Sequence, residues 1–266
     1  MGTELLGDSF TTHRRSLIWW SVGIVGLVGL TMAFYPSVKD SAGLDQYSKD
    51  LPEAVRALFV GGELDLTSPV GYLNSQIYVM LAPLLLAIFT IGAGASAVAG
   101  DEEDGMLDLL LSQPVSRTLF AVERFVWLLL ATLLLVLVLT ATVVIGALAT
   151  GLELSEADVP AATVSTALFA LVVGTVALAV GSAVSGKSKA IAISAGLATV
   201  SWIVDGLAKA VDWLDAVAAF SPYRVAYGSG PLANGAAWGD WLILILVILA
   251  FAGISVFGLR RRDIRQ

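Results

Sequence analysis

The stretch GSAVSGKS, Gly181 to Ser188, has residue types and spacing that could bind phosphate. It matches the pattern G-x-x-x-x-G-K-[ST], in which backbone N–H groups and a lysine surround the phosphates of a nucleotide. A working loop of this kind follows a buried strand, opens a helix, and lies in an α/β domain that also supplies an acid for Mg²⁺. Whether this stretch can act on ATP therefore depends on the elements on either side of it.

Both neighbouring elements are apolar. The run TALFALVVGTVALAV precedes the stretch and AIAISAGLATVSWIV follows it, so each neighbour is predicted to be a membrane-spanning helix rather than a strand. We therefore interpret GSAVSGKS as a tight cytoplasmic turn between two helices, with Gly186 allowing the reversal. The chain is not expected to hydrolyse ATP on its own.

Other catalytic arrangements lack the residues they need. The sequence contains no cysteine and one histidine, His13, so it offers neither a thiolate metal site nor a Ser-His-Asp arrangement. We expect His13 to lie at the lipid headgroup boundary beside Arg14 and Arg15. The sequence thus predicts no catalytic residue, no metal site and no cofactor bound by this chain, and a membrane-embedded enzyme is the weakest hypothesis.

The composition is that of a membrane protein. Hydrophobic residues make up 57% of the chain and charged residues 14%, and the mean hydropathy is +0.85. Six apolar runs are each long enough to cross a hydrocarbon layer of roughly 30 Å, and none shows the alternation of a barrel strand. The predicted fold is an all-α integral membrane protein with six transmembrane helices in a single domain, residues 1–266. The spans are expected at about residues 17–35, 77–99, 125–150, 161–184, 190–206 and 241–259.

The positions of lysine and arginine predict the orientation. With the N-terminus inside, ten of the fifteen basic residues fall on cytoplasmic segments, which agrees with the positive-inside rule and places both termini in the cytoplasm. Residues expected to anchor the chain at the membrane interface are basic or tryptophan: Arg14, Arg15, Trp19, Trp20, Lys187, Lys189, Arg260, Arg261 and Arg262.

The net charge is −7 and the pI is near 4.6. Two explanations stay open, a highly saline environment and the chemistry of the outer loops. In either case the charge argues against a nucleic-acid partner, which would require a basic surface.

The longest predicted cytoplasmic segment, GDEEDGMLDLLLSQPVSRTLFAVERF, runs from Gly100 to Phe125. It begins with four acids and continues with leucines at helical spacing, and Pro114 disfavours helix at the residue before it. We expect two short amphipathic helices joined by a turn, with Ser116 capping the second. A simple connector would not need so many apolar residues, so this segment is predicted to be a surface for a partner.

These residues resemble the signature segment of ABC-2 type transporter permeases. The acids, Gly105, the motif LDLLLSQPVSR and Arg124 correspond to that signature, and six spans with a long first outer loop and a basic tail extend the resemblance over nearly the whole chain. Two positions depart from the family pattern: Met106 stands in place of threonine, and Glu123-Arg124 stands where lysine commonly follows. Both keep a side chain that suits a cytoplasmic turn.

The resemblance implies a permease of the plasma membrane that moves its substrate outward and works with a separate cytoplasmic ABC ATPase subunit, which binds the ATP and Mg²⁺. It also implies a second permease chain, identical or not, and a coupling helix between spans two and three. The coupling residues would be Asp101, Glu102, Glu103, Asp104, Gly105, Leu107, Leu110, Leu111, Pro114 and Arg117. The N-terminal stretch is similar to the family's interfacial elbow helix, with Leu5, Leu6 and Phe10 in the interface.

Other features leave alternatives open. The first outer loop, residues 36–76, contains a predicted helix near residues 52–60 and could gate the outer mouth, recognise a cargo or cover the bundle. A self-sufficient secondary transporter or channel is the alternative function. It would require inverted repeats and charges within the spans, and neither is evident.

Overall fold

A computed structural model describes residues 2–39, 68–103, 105, 116–154, 158–184, 186–208 and 211–261, with side chains from His13 to Arg260. These residues form nine helices and no strand. They are α1 (Gly2–Lys39), α2 (Pro69–Glu103), α3 (Arg117–Thr150), α4 (Val159–Ala183), α5 (Lys187–Ala208), α6 (Asp212–Ala218), α7 (Pro222–Tyr227), α8 (Pro231–Asn234) and α9 (Trp238–Arg261). Within α2, residues Asn74–Leu81 and Ser96–Gly100 are π-helical.

Six of the described helices are long and apolar enough to cross a membrane: α1 from His13, α2, α3, α4, α5 and α9. The prediction of six helices of membrane-spanning length is therefore confirmed. Most of the helices extend beyond the apolar runs, because a helix leaving the hydrocarbon layer keeps its backbone hydrogen bonds as its side chains become polar. Thus α2 begins at Pro69, inside the stretch expected to be an outer loop.

Two expected helix boundaries were wrong. The N-terminal interfacial helix is not a separate element, since α1 runs from Gly2 to Lys39 without interruption. The second amphipathic helix of the cytoplasmic segment is likewise the beginning of α3. Neither glycine nor proline occurs between Asp8 and Val22 or between Arg117 and Ile145, so nothing in the sequence interrupts either helix.

Helix α4 is the centre of the bundle. In its membrane-length window 89% of the residues are buried, and its most extensive contacts are with α2 and α9. Glycines allow the closest approach of α2 and α4: a Cβ on Gly174 would lie 2.7 Å from the Cβ of Thr90, and a Cβ on Gly94 would overlap the carbonyl oxygen of Gly174. Close packing through small residues is the usual way in which membrane helices associate.

Short-range signals fix several helix ends. The Ser116 side chain accepts a hydrogen bond from the N–H of Leu119 at 3.2 Å, which confirms the predicted cap of α3. At the other end of α3, Gly151 has a φ of 68°, the left-handed conformation that glycine adopts most readily. Asp158 caps α4 by accepting from the N–H of Ala161 at 3.0 Å.

The N-terminal part of α4 carries a polar cluster that joins it to its neighbours. Tyr227 of α7 donates a hydrogen bond to Thr166 at 2.9 Å, and the indole N–H of Trp241 donates to Ser165 at 2.8 Å. Burial raises the pKa of Tyr227 well above its ordinary value, so this hydroxyl stays neutral and able to donate. These contacts join α7 and the beginning of α9 to α4, at the end opposite the turn between α4 and α5.

Candidate functional site

The polar residues of interest gather where α2 and α4 end and α3 and α5 begin. We call this region the charged end, and its members are Asp101, Glu102, Glu103, Arg117, Arg124, Lys187 and Arg260. It contains the described part of the segment that the sequence predicts to contact a partner.

An ion pair joins α2 to α3 at the charged end. The Nη2 atom of Arg124 lies 2.5 Å from Oδ2 of Asp101, and the two side chains are 12% and 25% exposed. The guanidinium carbon also lies 4.8 Å from the centre of the Phe120 ring. A largely buried guanidinium needs such partners, since an unpaired charge at this depth costs several kcal/mol. Asp101 is thus held by a residue two turns inside α3.

A second contact joins the end of α2 to the start of α5. Oε1 of Glu103 accepts a hydrogen bond from the backbone N–H of Lys187 at 2.8 Å. A carboxylate is favoured at this position because the first N–H groups of a helix have no partner within the helix and the helix dipole is positive there. The contact is solvent-exposed and therefore weaker than the ion pair of Asp101 with Arg124.

The geometry of GSAVSGKS agrees with the interpretation as a turn. Gly181 and Ser182 end α4, Gly186 has a φ of 110°, and Lys187 begins α5. Because the preceding element is a helix, the described residues lack the strand-to-helix geometry of a nucleotide loop. The carboxylate of Glu103 accepts from the N–H of Lys187.

Further contacts connect α3 to the end of α9. Arg117 donates from Nη1 to the carbonyl of Leu259 at 3.4 Å, and Arg260 donates from Nε to Thr118 at 3.0 Å. Deeper in the bundle, the hydroxyls of Ser182 and Ser255 lie 2.8 Å apart and join α4 to α9. Helices α2, α3, α5 and α9 are therefore linked by polar contacts at one end.

The predicted coupling residues are only partly visible. Asp101, Glu102 and Glu103 form the last turn of α2, and Gly105 follows with a φ of 68° and an N–H that donates to the carbonyl of Glu102 at 3.1 Å. Arg117 begins α3. The other predicted residues lie outside the described residues: Asp104, Leu107, Leu110, Leu111 and Pro114. The first amphipathic helix of this segment therefore remains a prediction.

The predicted interface anchors have different surroundings. Arg14, Arg15, Trp19, Lys189 and Arg260 are exposed, and Lys187 is half-buried. Trp20 instead packs inward, with its ring 5.8 Å from that of Phe89. Arg261 is the last residue of α9, and the structure describes its backbone but not its side chain. Arg262 lies outside the described residues.

Two functional candidates at the charged end were missed from the sequence. Arg124 was matched to the family pattern but was not assigned to the site, although a cation two turns inside a membrane helix requires a partner. The sequence does not single out Trp127. It is buried, and its ring lies 4.7 Å from that of His13. Tryptophan is frequent in membrane helices, so the sequence held no specific signal for it.

This architecture is that of a polytopic membrane protein: the described residues include six membrane-length helices, of which α4 is the central one, and polar contacts link several of them at one end. The family described as ABC-2 family transporter protein matches residues 5–264. The chain belongs to this family and is an ABC-2 type permease. Permeases of this family are membrane transport components and are not themselves catalytic. A search of curated proteins found no match.

Proposed function

We propose that this chain is the membrane-spanning subunit of an ABC transporter and moves a substrate outward with energy from ATP hydrolysed by a separate nucleotide-binding subunit. ABC-2 permeases typically work with such an ATPase. Membership of the family over residues 5–264 is the observation that carries the proposal. The complex contains two permease chains and two ATPase subunits, lies in the plasma membrane, and has both permease termini in the cytoplasm. ATP and Mg²⁺ bind to the ATPase.

Contacts at the charged end support a route by which movement of the ATPase would reach the membrane helices. The ion pair of Asp101 with Arg124 transmits a displacement of the acidic turn, residues 101–103, to α3. The contact of Glu103 with Lys187 transmits the same displacement to α5. The second contact is exposed, so it can break and reform during a cycle at low cost. The ATPase would therefore act on α2, α3 and α5 together when it moves residues 101–103.

The docking surface extends from the charged end into the segment after it. We assign polar contacts with the ATPase to Glu102, Glu103 and Asp104, and we place Leu107, Leu110 and Leu111 in an apolar groove of the partner, as an amphipathic helix docks in a cleft. Pro114 and Arg117 end this surface. The acidic turn predicts a basic rim on the ATPase.

Co-purification tests this function. The chain is expressed with a candidate ATPase and isolated in mild detergent, together with a Glu103→Arg, Leu110→Asp double variant and a Glu153→Arg control. Glu153 is exposed and follows the opposite end of α3. We expect wild type and control to retain the ATPase and the double variant to lose it. If no ATPase associates with wild type, or if the double variant retains it equally, the proposal is wrong and the self-sufficient transporter becomes the better explanation.

A further inference from the structure

A cavity of about 410 Å³ lies between α1, α2, α3 and α5 beside the charged end. Its volume falls within the range of roughly 300–1,000 Å³ that is typical of small-molecule sites. The contacts assigned to coupling do not fill it, and its lining has two chemically distinct parts.

The polar part of the lining suits an anion. Lys187 of α5 lines this part of the cavity, as do His13 and Ser16 of α1. Trp127 also lines it and is 4% exposed, and its indole N–H has no hydrogen-bond partner among the described residues. A buried donor without an acceptor is costly, so this N–H calls for an acceptor oxygen. The carboxylate of Glu103, which does not line the cavity, accepts from the backbone N–H of Lys187.

The apolar part of the lining faces the membrane. Ile88 of α2 and Ile191 of α5 belong to it, and Ile88 is 51% exposed on a membrane-length helix. A ligand in this cavity would therefore meet cationic and N–H groups at one end and, beyond them, aliphatic side chains that border the lipid. A soluble anion would contact only the polar part of the lining.

We propose that this cavity binds an anionic phospholipid of the adjacent leaflet. Its headgroup phosphate faces Lys187, His13 and the indole N–H of Trp127, and its acyl chain leaves past Ile88 and Ile191. Basic pockets between membrane helices at a leaflet surface suit such headgroups, because the surrounding lipid supplies both the charge and the chain. The site goes beyond the proposed transport function, and its test needs no ATPase.

Ligand-dependent stabilisation of the full chain tests the site. The protein in mild nonionic detergent is titrated with dioctanoylphosphatidylglycerol, with dioctanoylphosphatidylcholine and with inorganic phosphate, and the midpoint of thermal unfolding is recorded. A ligand that binds only the folded state raises the midpoint in a saturable manner. We expect this for phosphatidylglycerol alone. An equal rise with phosphatidylcholine would overturn the anionic character, and an equal rise with inorganic phosphate would overturn the lipid as ligand.

Matched variants locate the binding. Lys187→Gln removes the charge in the cavity, and Lys189→Gln removes the exposed charge two residues later, which does not line it. We expect Lys187→Gln to weaken apparent phosphatidylglycerol affinity roughly fivefold, the effect of one cation close to an anionic lipid. Lys189→Gln should leave the affinity within about twofold.

Trp127→Phe keeps the ring and removes the N–H, and Trp19→Phe is its exposed control. We expect only the first to weaken affinity for phosphatidylglycerol. Equal effects of the two lysine variants together with equal effects of the two tryptophan variants would overturn the placement of the lipid in this cavity.

Discussion

At the scale of single residues, Arg124 is the most constrained charge at the charged end. Its side chain is 12% exposed, its Nη2 bonds Asp101, and its Nε has no hydrogen-bond partner among the described residues. Removing Asp101 would leave this guanidinium largely buried with fewer acceptors, which is the situation in which a lost ion pair costs most. The pair should therefore contribute to stability, unlike most exposed ion pairs.

A double-mutant cycle on Arg124→Gln and Asp101→Asn tests this contribution. We expect each single variant to lower the free energy of unfolding by about 2 kcal/mol, because a buried charge-assisted hydrogen bond is lost. SDS-induced unfolding, followed by circular dichroism, provides the measurement.

The same cycle on Arg224→Gln and Asp215→Asn is the control, since these side chains are 34% and 62% exposed and lie 2.6 Å apart. We expect a coupling energy of about 1 kcal/mol or less there. Equal coupling in the two cycles would show that burial does not strengthen the pair of Asp101 with Arg124.

Local residue roles were predictable, and distant pairings were not. The cap at Ser116 and the reversal at Gly186 depend on a few neighbouring residues, so sequence patterns were sufficient. The contact of Glu103 with Lys187 joins residues separated by two spans and the segments that connect them. Its existence depends on how α2 and α5 pack against α4, and no local pattern encodes that packing.

At the scale of elements, the contact between α2 and α4 sets how closely the bundle can pack. Thr90 and Gly174 meet at the crossing, where a Cβ on the glycine would lie 2.7 Å from the Cβ of Thr90. The Cβ of Thr90 is bonded directly to the backbone of α2, and the carbonyl oxygen of Thr90 would lie only 3.2 Å from the added Cβ, so relief would require a helix to move. Close contact through small residues is the ordinary way in which membrane helices pack, and this contact is of that kind.

Substitution of Gly174→Ala tests the helix crossing. We expect it to lower the free energy of unfolding by about 1–3 kcal/mol, the usual cost of overpacking a closely packed site. Gly196→Ala on exposed α5 is the control, because its Cβ would meet no atom within 4 Å. There the better helix propensity of alanine should leave stability unchanged or raise it by up to about 1 kcal/mol. The free energy is measured by SDS-induced unfolding. A Gly174→Ala variant as stable as wild type would contradict the close contact at this crossing.

The number of spans was predictable because the thickness of the hydrocarbon layer fixes the length of an apolar run. Helix ends were not predictable from the apolar runs, because the helices that begin at Gly2 and Arg117 include polar residues that lie outside the hydrocarbon layer. The short helices α6, α7 and α8 were also missed. Their position depends on contacts with α2, α4 and α5, such as the hydrogen bond from Tyr223 to the carbonyl of Val79 at 2.6 Å.

At the scale of the whole molecule, the concentration of lysine and arginine at the charged end predicts which end faces the cytoplasm. The turn at Lys187 and the end of α9 at Arg260 lie there. The positive-inside rule places them inside, and the short helices α6 to α8 then face outward.

Single-cysteine labelling tests the orientation, and the chain suits it because it contains no cysteine. Ser188→Cys places a thiol in the first turn of α5, and Ala236→Cys places one in the connection before α9; both positions are exposed. We expect a membrane-impermeant maleimide to label intact cells only at Ala236→Cys and to label both variants in opened membranes. Labelling of Ser188→Cys alone in intact cells would reverse the topology.

We propose that a separate ATPase moves the acidic turn of this permease, residues 101–103, and through it the membrane helices. The most direct measurement is ATP turnover by that ATPase in lipid vesicles, alone and with wild-type chain, a Glu103→Ala variant or a Glu153→Ala control. We predict that wild type and control change the turnover to the same extent, and that Glu103→Ala still binds the ATPase but changes its turnover much less. Turnover that is the same with and without the wild-type chain would contradict the proposal.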